Sequence, residues 1–256
     1  MLARDRLNYI KEKLTKEGSI LNRDMCLELD VSDETIRRDL AKLSKEMEIC
    51  RVRGGAYLFD SKDIEVPAKV REALFVEEKE KIAVYCVDMI SHGDTIALDS
   101  STTALSIARR IKTEKKRVTI ITNSINIVNE LMEEPYLEVI ALGGSLRKTT
   151  KSFIGEKAIE NMQSFWVKKA FISCTTMSTT FGIADNNLME SKIRKTMIDQ
   201  ATTKYLIVDH TKFGDNDTYK ICDLSDFDYI VIDEVNESMK SNGFLEQKAQ
   251  VIQCKK

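Results

Sequence analysis

The chain has 256 residues, 39 Lys and Arg against 41 Asp and Glu, and a formal net charge of −2. That length holds a domain of about 60 residues plus a larger one with its own core, and the near-neutral charge excludes a basic coat over the whole surface. The lack of both a signal peptide and a run of about 18 apolar residues predicts a cytoplasmic chain without membrane contact, and six scattered cysteines without C-x-x-C, with only His92 and His210, predict reduced thiols and neither metal site nor cofactor.

Leu7, Ile10 and Leu14 form an apolar helical stripe that ends at Gly18. Met25, Cys26 and Leu29 predict a short second helix, with Asn22 as its cap, and Asp30-Val31-Ser32 is a tight turn. Ser32 is placed to cap a third helix, because its hydroxyl can accept from a free first-turn amide. Asp33 and Glu34 follow where carboxylates suit the positive helix end. Ile36, Leu40 and Leu43 make the buried stripe, which leaves Thr35, Arg37 and Arg38 on or beside the exposed face. Three helices with a turn between the last two predict a helix-turn-helix.

Glu48 to Arg53 alternates polar and apolar residues like a strand. Gly54-Gly55 allows a sharp turn or close approach to a phosphate, and Tyr57-Leu58-Phe59 is the expected return strand. This adds a wing, with Arg51 and Arg53 on one face because strand side chains alternate. Residues 1–57 carry twelve basic and eleven acidic residues, a net of only +1. Position therefore carries the argument: four arginines fall on the two elements that should touch DNA. The predicted DNA-contacting residues are Ser32, Thr35, Arg37, Arg38, Arg51, Arg53, Gly54 and Gly55.

The expected division is a winged helix-turn-helix over 1–60, a charged linker over 61–69 containing Pro67, and an α/β domain over 70–256. Val70 to Ile90 predicts one long helix. Strands are then predicted at Thr95–Leu98, Val118–Thr122, Leu137–Leu142, Lys169–Cys174, Tyr205–Asp209, Tyr229–Ile232 and Gln250–Cys254. The helices between them span about 102–111, 124–133, 155–163, 187–202 and 236–242, and this alternation predicts a mostly parallel sheet covered by helices. Ligands of such sheets bind at the carboxyl ends of the strands. Small polar residues gather at four of those ends: Asp99-Ser100-Ser101-Thr102-Thr103, Thr122-Asn123-Ser124, Gly143-Gly144-Ser145-Leu146-Arg147 and Asp209-His210-Thr211-Lys212. Hydroxyls and free amides at a helix N-terminus suit an anion, so together these ends predict a site for a phosphorylated or carboxylated small molecule.

TIRRDL after a VS turn, then RVRGGA, resembles the N-terminal signature of DeoR-family bacterial repressors, with Arg53 where the family has His. DSSTT is similar to the family's DSGTT phosphate loop, with Ser101 in place of glycine. TNS, LGGSLR and DHTKFG also match, and Arg71 and Lys79 fit the run before IA, so the likeness covers residues 4 to about 233. A departure lies at Lys169 to Cys174, where the family has an Asp near the start and a glycine near the end.

The resemblance implies a larger α/β sensor domain with the fold of ribose-5-phosphate isomerase, binding a sugar phosphate or related metabolite. Carried over, the effector site comprises Asp99, Ser101, Thr102, Thr103, Thr122, Asn123, Gly143, Gly144, Arg147 and Lys212. Ser101 to Thr103 would cradle phosphate, Arg147 and Lys212 would be ion partners, and Asp99 would accept from a sugar hydroxyl. The expected partners are double-stranded operator DNA, the effector, and further copies of the chain as a dimer or tetramer.

The alternative is a sugar-phosphate isomerase with a DNA-binding appendage. Isomerisation needs a positioned base, and the related isomerases carry an acidic run after a strand. The matching run here, Ser173 to Met177, has no carboxylate. Glu190 reads as a first-turn residue favoured by the helix dipole, and Cys174 reads as structural. No catalytic residue is predicted, and the chain is expected to be a regulator, a repressor of carbohydrate genes released from DNA by its effector.

Overall fold

A computed structural model describes residues 2–58, 65–214 and 218–254, and divides the chain into compact units at 1–76 and 77–256. The N-terminal unit contains α1 (Ala3–Glu17), β1 (Ser19–Leu21), α2 (Asn22–Leu29), α3 (Asp33–Leu43), β2 (Ile49–Val52), β3 (Gly55–Leu58) and α4 (Ala68–Ala73). Left-handed residues stop the first two helices, Gly18 at φ 74° and Asp30 at φ 50°. The apolar stripes meet in one core of Ile10, Leu14, Ile20, Met25, Leu29, Ile36, Leu40, Leu43 and Ala56. Arg6 and Asp39, both buried, pair at 2.6 Å and tie α1 to α3.

The three strands form an antiparallel sheet in the order β1-β3-β2. The helices and wing follow the sequence prediction, but β1 does not. Ser19-Ile20-Leu21 is too short to carry a period of its own, and pairing with β3 makes it a strand. Asn22 is the first residue of α2 rather than its cap, because Leu21 holds the cap position without a side-chain bond. Phe59 and residues 61–64 of the expected linker lie outside the described residues.

The helix predicted from Val70 to Ile90 is two helices, α4 and α5 (Val76–Asp88). Phe75 between them has φ 52°, a conformation no helix can continue through.

The second unit holds seven strands in one parallel sheet: β4 (Thr95–Leu98), β5 (Thr119–Thr122), β6 (Glu138–Ala141), β9 (Val167–Ile172), β12 (Ala201–Val208), β14 (Tyr229–Ile232) and β15 (Gln250–Gln253). Their order is β15-β14-β12-β9-β4-β5-β6, and every neighbouring pair is parallel. Alternate residues serve opposite faces. Ala97, Ile121, Ala170, Leu206 and Ile230 join one core, while Ile96, Leu98, Ile120, Phe171, Ile207 and Val231 join the other. A sheet buried on both faces needs such near-continuous apolar strands.

The connecting helices are α6 (Thr102–Thr113), α7 (Ile125–Leu131), α8 (Glu156–Gln163), α9 (Leu188–Asp199) and α10 (Glu237–Ser241). All seven strands and five later helices coincide with predicted positions to within a few residues. Two additions sit on the carboxyl-end connections: a hairpin of β7 (Ser145–Arg147) and β8 (Ser152–Ile154), and an antiparallel sheet of β10 (Thr176–Ser178), β11 (Gly182–Asp185) and β13 (Tyr219–Cys222). From β4 the chain builds outward through β5 and β6, then returns to add β9 on the other flank. The order therefore reverses between β4 and β9, the switch point where such sheets open a crevice.

Candidate functional site

Ser32 caps α3 as predicted, accepting from the Thr35 amide at 3.3 Å. Arg37 and Arg38 are exposed on α3, and Arg37 pairs with Asp33 one turn earlier at 2.6 Å. On the wing Arg51 and Arg53 are exposed, and Gly54 turns the chain at φ 89°. Arg37, Arg51, Arg53 and Gly54 line one groove of 310 Å³ together with Asn22 and Leu40. Recognition helix and wing thus present three arginines to one hollow. Arg38 is not among the groove-lining residues.

Gly55 lines the same groove. It is buried in β3, and a side chain there would collide with the Ile20 carbonyl of β1. The second glycine of the pair serves strand packing, and the first serves the turn.

In the second unit the four polar strand ends meet at the carboxyl edge of the sheet. Ser101 caps α6, accepting from the Ala104 amide at 3.0 Å, with φ −73° and ψ 155°. That is ordinary extended backbone, so serine fits where the family has glycine and adds a cap. The Thr102 and Thr103 amides of the first turn have no hydrogen-bond partner among the described residues, which leaves donors at the positive helix end. Thr122 accepts from the Ser124 amide, and Ser124 caps α7. Asn123 donates to the Phe153 carbonyl at 3.1 Å, while its Oδ1 is buried without a partner among the described residues.

Asp99 has a different role from the expected sugar contact. It is 1% exposed and accepts from the Ser101 and Ser173 amides and from Arg194 Nε at 3.0 Å. Ser173 follows β9, so Asp99 fastens the two strand ends that flank the switch point. Arg194 of α9 also pairs with Asp185, and both are almost fully buried. Gly143 is partly exposed at φ 65°, and Gly144 is exposed, although a Cβ there would lie 2.7 Å from the Ile154 carbonyl at the end of β8.

Arg147 is buried and faces Glu190 at 3.5 Å. Glu190 is wholly buried and accepts from Thr150, Ser152 and Ser100 at 2.8, 2.6 and 3.2 Å. Its place in the first turn of α9 agrees with the dipole reading, but its centrality was missed, together with Arg194, Asp185, Thr150 and Ser152. The only signal was an acid inside an apolar helix pattern, and its partners lie 38 to 90 residues away.

Lys212 is half-buried in the turn after β12. Burial pushes the Cys174 thiol up to about 12, against opposing pulls from Lys212 and Arg194. Cys174 is therefore a neutral thiol at physiological pH, with no thiolate to act as a nucleophile. His210 donates its backbone amide to Asp233, and its Nδ1 lies 2.7 Å from the same carboxylate. Burial lowers its pKa, but the Asp233 contacts prevail and raise it.

A winged helix followed in sequence by a doubly covered parallel sheet defines a DNA-binding regulator with a separate α/β unit. The DeoR-like helix-turn-helix domain matches residues 6–62, and the DeoR C terminal sensor domain matches residues 74–234. The lactose phosphotransferase system repressor of Staphylococcus epidermidis is 32% identical, over 97% of this chain and 98% of that protein. The repressor GlcR of Bacillus subtilis is 32% identical over 92% and 90%, and the glycerol-3-phosphate regulon repressor of Escherichia coli 29% over 89% and 90%. Among solved structures, ribose 5-phosphate isomerase A from Methanocaldococcus jannaschii is 20% identical over 53% of each chain, with a TM-score of 0.38. The chain belongs to the DeoR family of transcriptional regulators. Among the described residues no helix is long and apolar enough to cross a membrane.

Proposed function

We propose that this regulator is a cytoplasmic repressor of carbohydrate genes whose operator affinity is set by a phosphorylated sugar at the carboxyl edge of the parallel sheet. The observation that carries this reading is the pairing of opposite needs at one edge. The Thr102 and Thr103 amides at the α6 N-terminus suit a phosphate. The buried Oδ1 of Asn123, in the loop directly after the adjacent strand β5, wants a hydroxyl donor. A sugar phosphate supplies both groups. Thr122, Gly143, Arg147 and Lys212 complete the proposed cradle, and Ser101 and Asp99 hold its floor. The names of the relatives, which include repressors of lactose and glycerol-3-phosphate systems, agree with this class.

The DNA half of the reading rests on Thr35, Arg37, Arg38, Arg51, Arg53 and the Gly54 turn. A homo-oligomer would space two such heads on operator half-sites, one helical turn or a multiple apart. Effector coupling of about 1–3 kcal/mol gives a 5–150-fold change in operator affinity, in the direction of release.

We read the α/β unit as a sensor and not a catalyst. The buried carboxylate Glu190 is already engaged by three hydroxyls and Arg147, and Cys174 is protonated. Turnover of pentose phosphates by the purified chain would overturn this. Thermal unfolding with a panel of sugar phosphates tests the sensor directly, because a ligand at 100 times its Kd stabilises by about 2.7 kcal/mol. Lack of any shift across the panel would remove the sugar-phosphate assignment.

A further inference from the structure

Asn22 has no part in the predicted DNA contacts, yet it lines the groove and bonds both to the wing turn and to α3. Its backbone amide donates to the Gly54 carbonyl at the wing turn, 2.8 Å away. Its side-chain Nδ2 donates to Asp33 Oδ1 at the start of α3, also at 2.8 Å. The other oxygen of Asp33 accepts from Arg37 Nε at 2.6 Å. An unbroken chain of polar contacts thus runs from the wing tip through Asn22 and Asp33 to a recognition-helix arginine. Asn22 is 4% exposed, and its own Oδ1 is buried without a partner among the described residues. A buried amide with one half unsatisfied is costly to keep as mere filling. It lines the same groove as Arg37, Arg51 and Arg53, whose guanidinium groups are pure donors.

We propose that Asn22 and Asp33 form a positioning pair that fixes the wing turn against α3, so that Arg37, Arg51 and Arg53 act as one clamp on the DNA backbone. Neither residue needs to touch DNA for this. Asp33 orients Arg37, and Asn22 holds Asp33 and the wing in register. The pair sets how many arginines engage together, and hence both affinity and its dependence on salt, because each phosphate neutralised adds about one to the slope of log affinity against log salt.

The test uses the full chain and a duplex recovered by selection from a random-sequence DNA pool, with a shuffled duplex of equal length as control. Asp33→Asn and Asp33→Ala remove the same charge, but only Asp33→Asn keeps an acceptor for Asn22. The expected result is that Asp33→Asn binds the selected duplex at least about tenfold more tightly than Asp33→Ala, a difference near 1.4 kcal/mol. Asp33→Ala should also show a salt slope lower by about one. In an Asn22→Ala background the difference between the two Asp33 variants should vanish, as for residues that act as a unit. Equal affinities and slopes for the two variants would overturn the proposal, as would a difference that survives Asn22→Ala. If Asn22→Ala does not fold, the two Asp33 variants alone decide. Recovery of no duplex from the pool would instead overturn the DNA-reading assignment on which the proposal rests.

Discussion

Several residues matter here through what they exclude. Gly55 has no room for a side chain against Ile20, so Gly55→Ala should cost about 1–3 kcal/mol as β1 and β3 are forced apart. Urea unfolding of the isolated change measures this, and an unchanged midpoint would reject the packing account. Arg194 holds two buried carboxylates, Asp99 and Asp185. Arg194→Ala leaves both uncompensated and should destabilise by about 3–5 kcal/mol, visible as a lowered Tm. Asp94 gives a pH prediction. Burial alone would raise its pKa, but hydrogen bonds from Lys168 and Lys169 outweigh that and hold it at about 2. A depressed carboxylate stabilises the fold above its unfolded value and loses that contribution as pH falls through the folded value. About 2 kcal/mol should therefore disappear between roughly pH 4 and pH 2. Asp94→Asn should flatten that part of the stability curve.

At the scale of elements, α3 and the wing are the reading head. Arg37 and Arg38 are adjacent on a helix, about 100° apart, and only Arg37 lines the groove with the wing arginines. Arg37→Ala and Arg38→Ala should each weaken operator binding, by about 1–3 kcal/mol where the lost contact is to a base. Ligand-induced stabilisation of the second unit should stay intact. Operator affinity equal to the parent in both variants would reject α3 as the recognition helix. The segment expected to be one long helix from Val70 to Ile90 is two helices with a left-handed Phe75 between them. A single continuous helix over 70–90 is thereby excluded.

For the whole molecule, the proposed switch separates two measurable properties. Lys212→Ala should blunt the effector response while leaving operator affinity without effector unchanged, read as a shifted effector titration in a DNA-binding assay. A titration that overlays the parent would remove Lys212 from the pocket. The parallel sheet also explains why the candidate site lies where it does. The order reverses between β4 and β9, and Asp99 ties their ends by accepting from Ser173. Four loops that are distant in sequence reach one edge because all seven strands point the same way.

The sequence by itself determined what local periodicity controls. Ile36, Leu40 and Leu43 set α3, Ser32 caps it, and alternating apolar runs place the seven strands with their polar carboxyl ends. These follow from burial and capping within a few residues of chain. The motifs RVRGGA, DSSTT and DHTKFG carried the family. Only the tertiary structure decided that Gly55 packs against β1, that Asp99 belongs to Arg194, and that Glu190 sits under Arg147 with hydroxyls from two segments distant in sequence. A short strand such as β1 exists only through its partner, and a buried charge takes whichever counter-charge the packed elements bring near. Those choices are made by long-range contacts, whose identity no window of neighbouring residues contains.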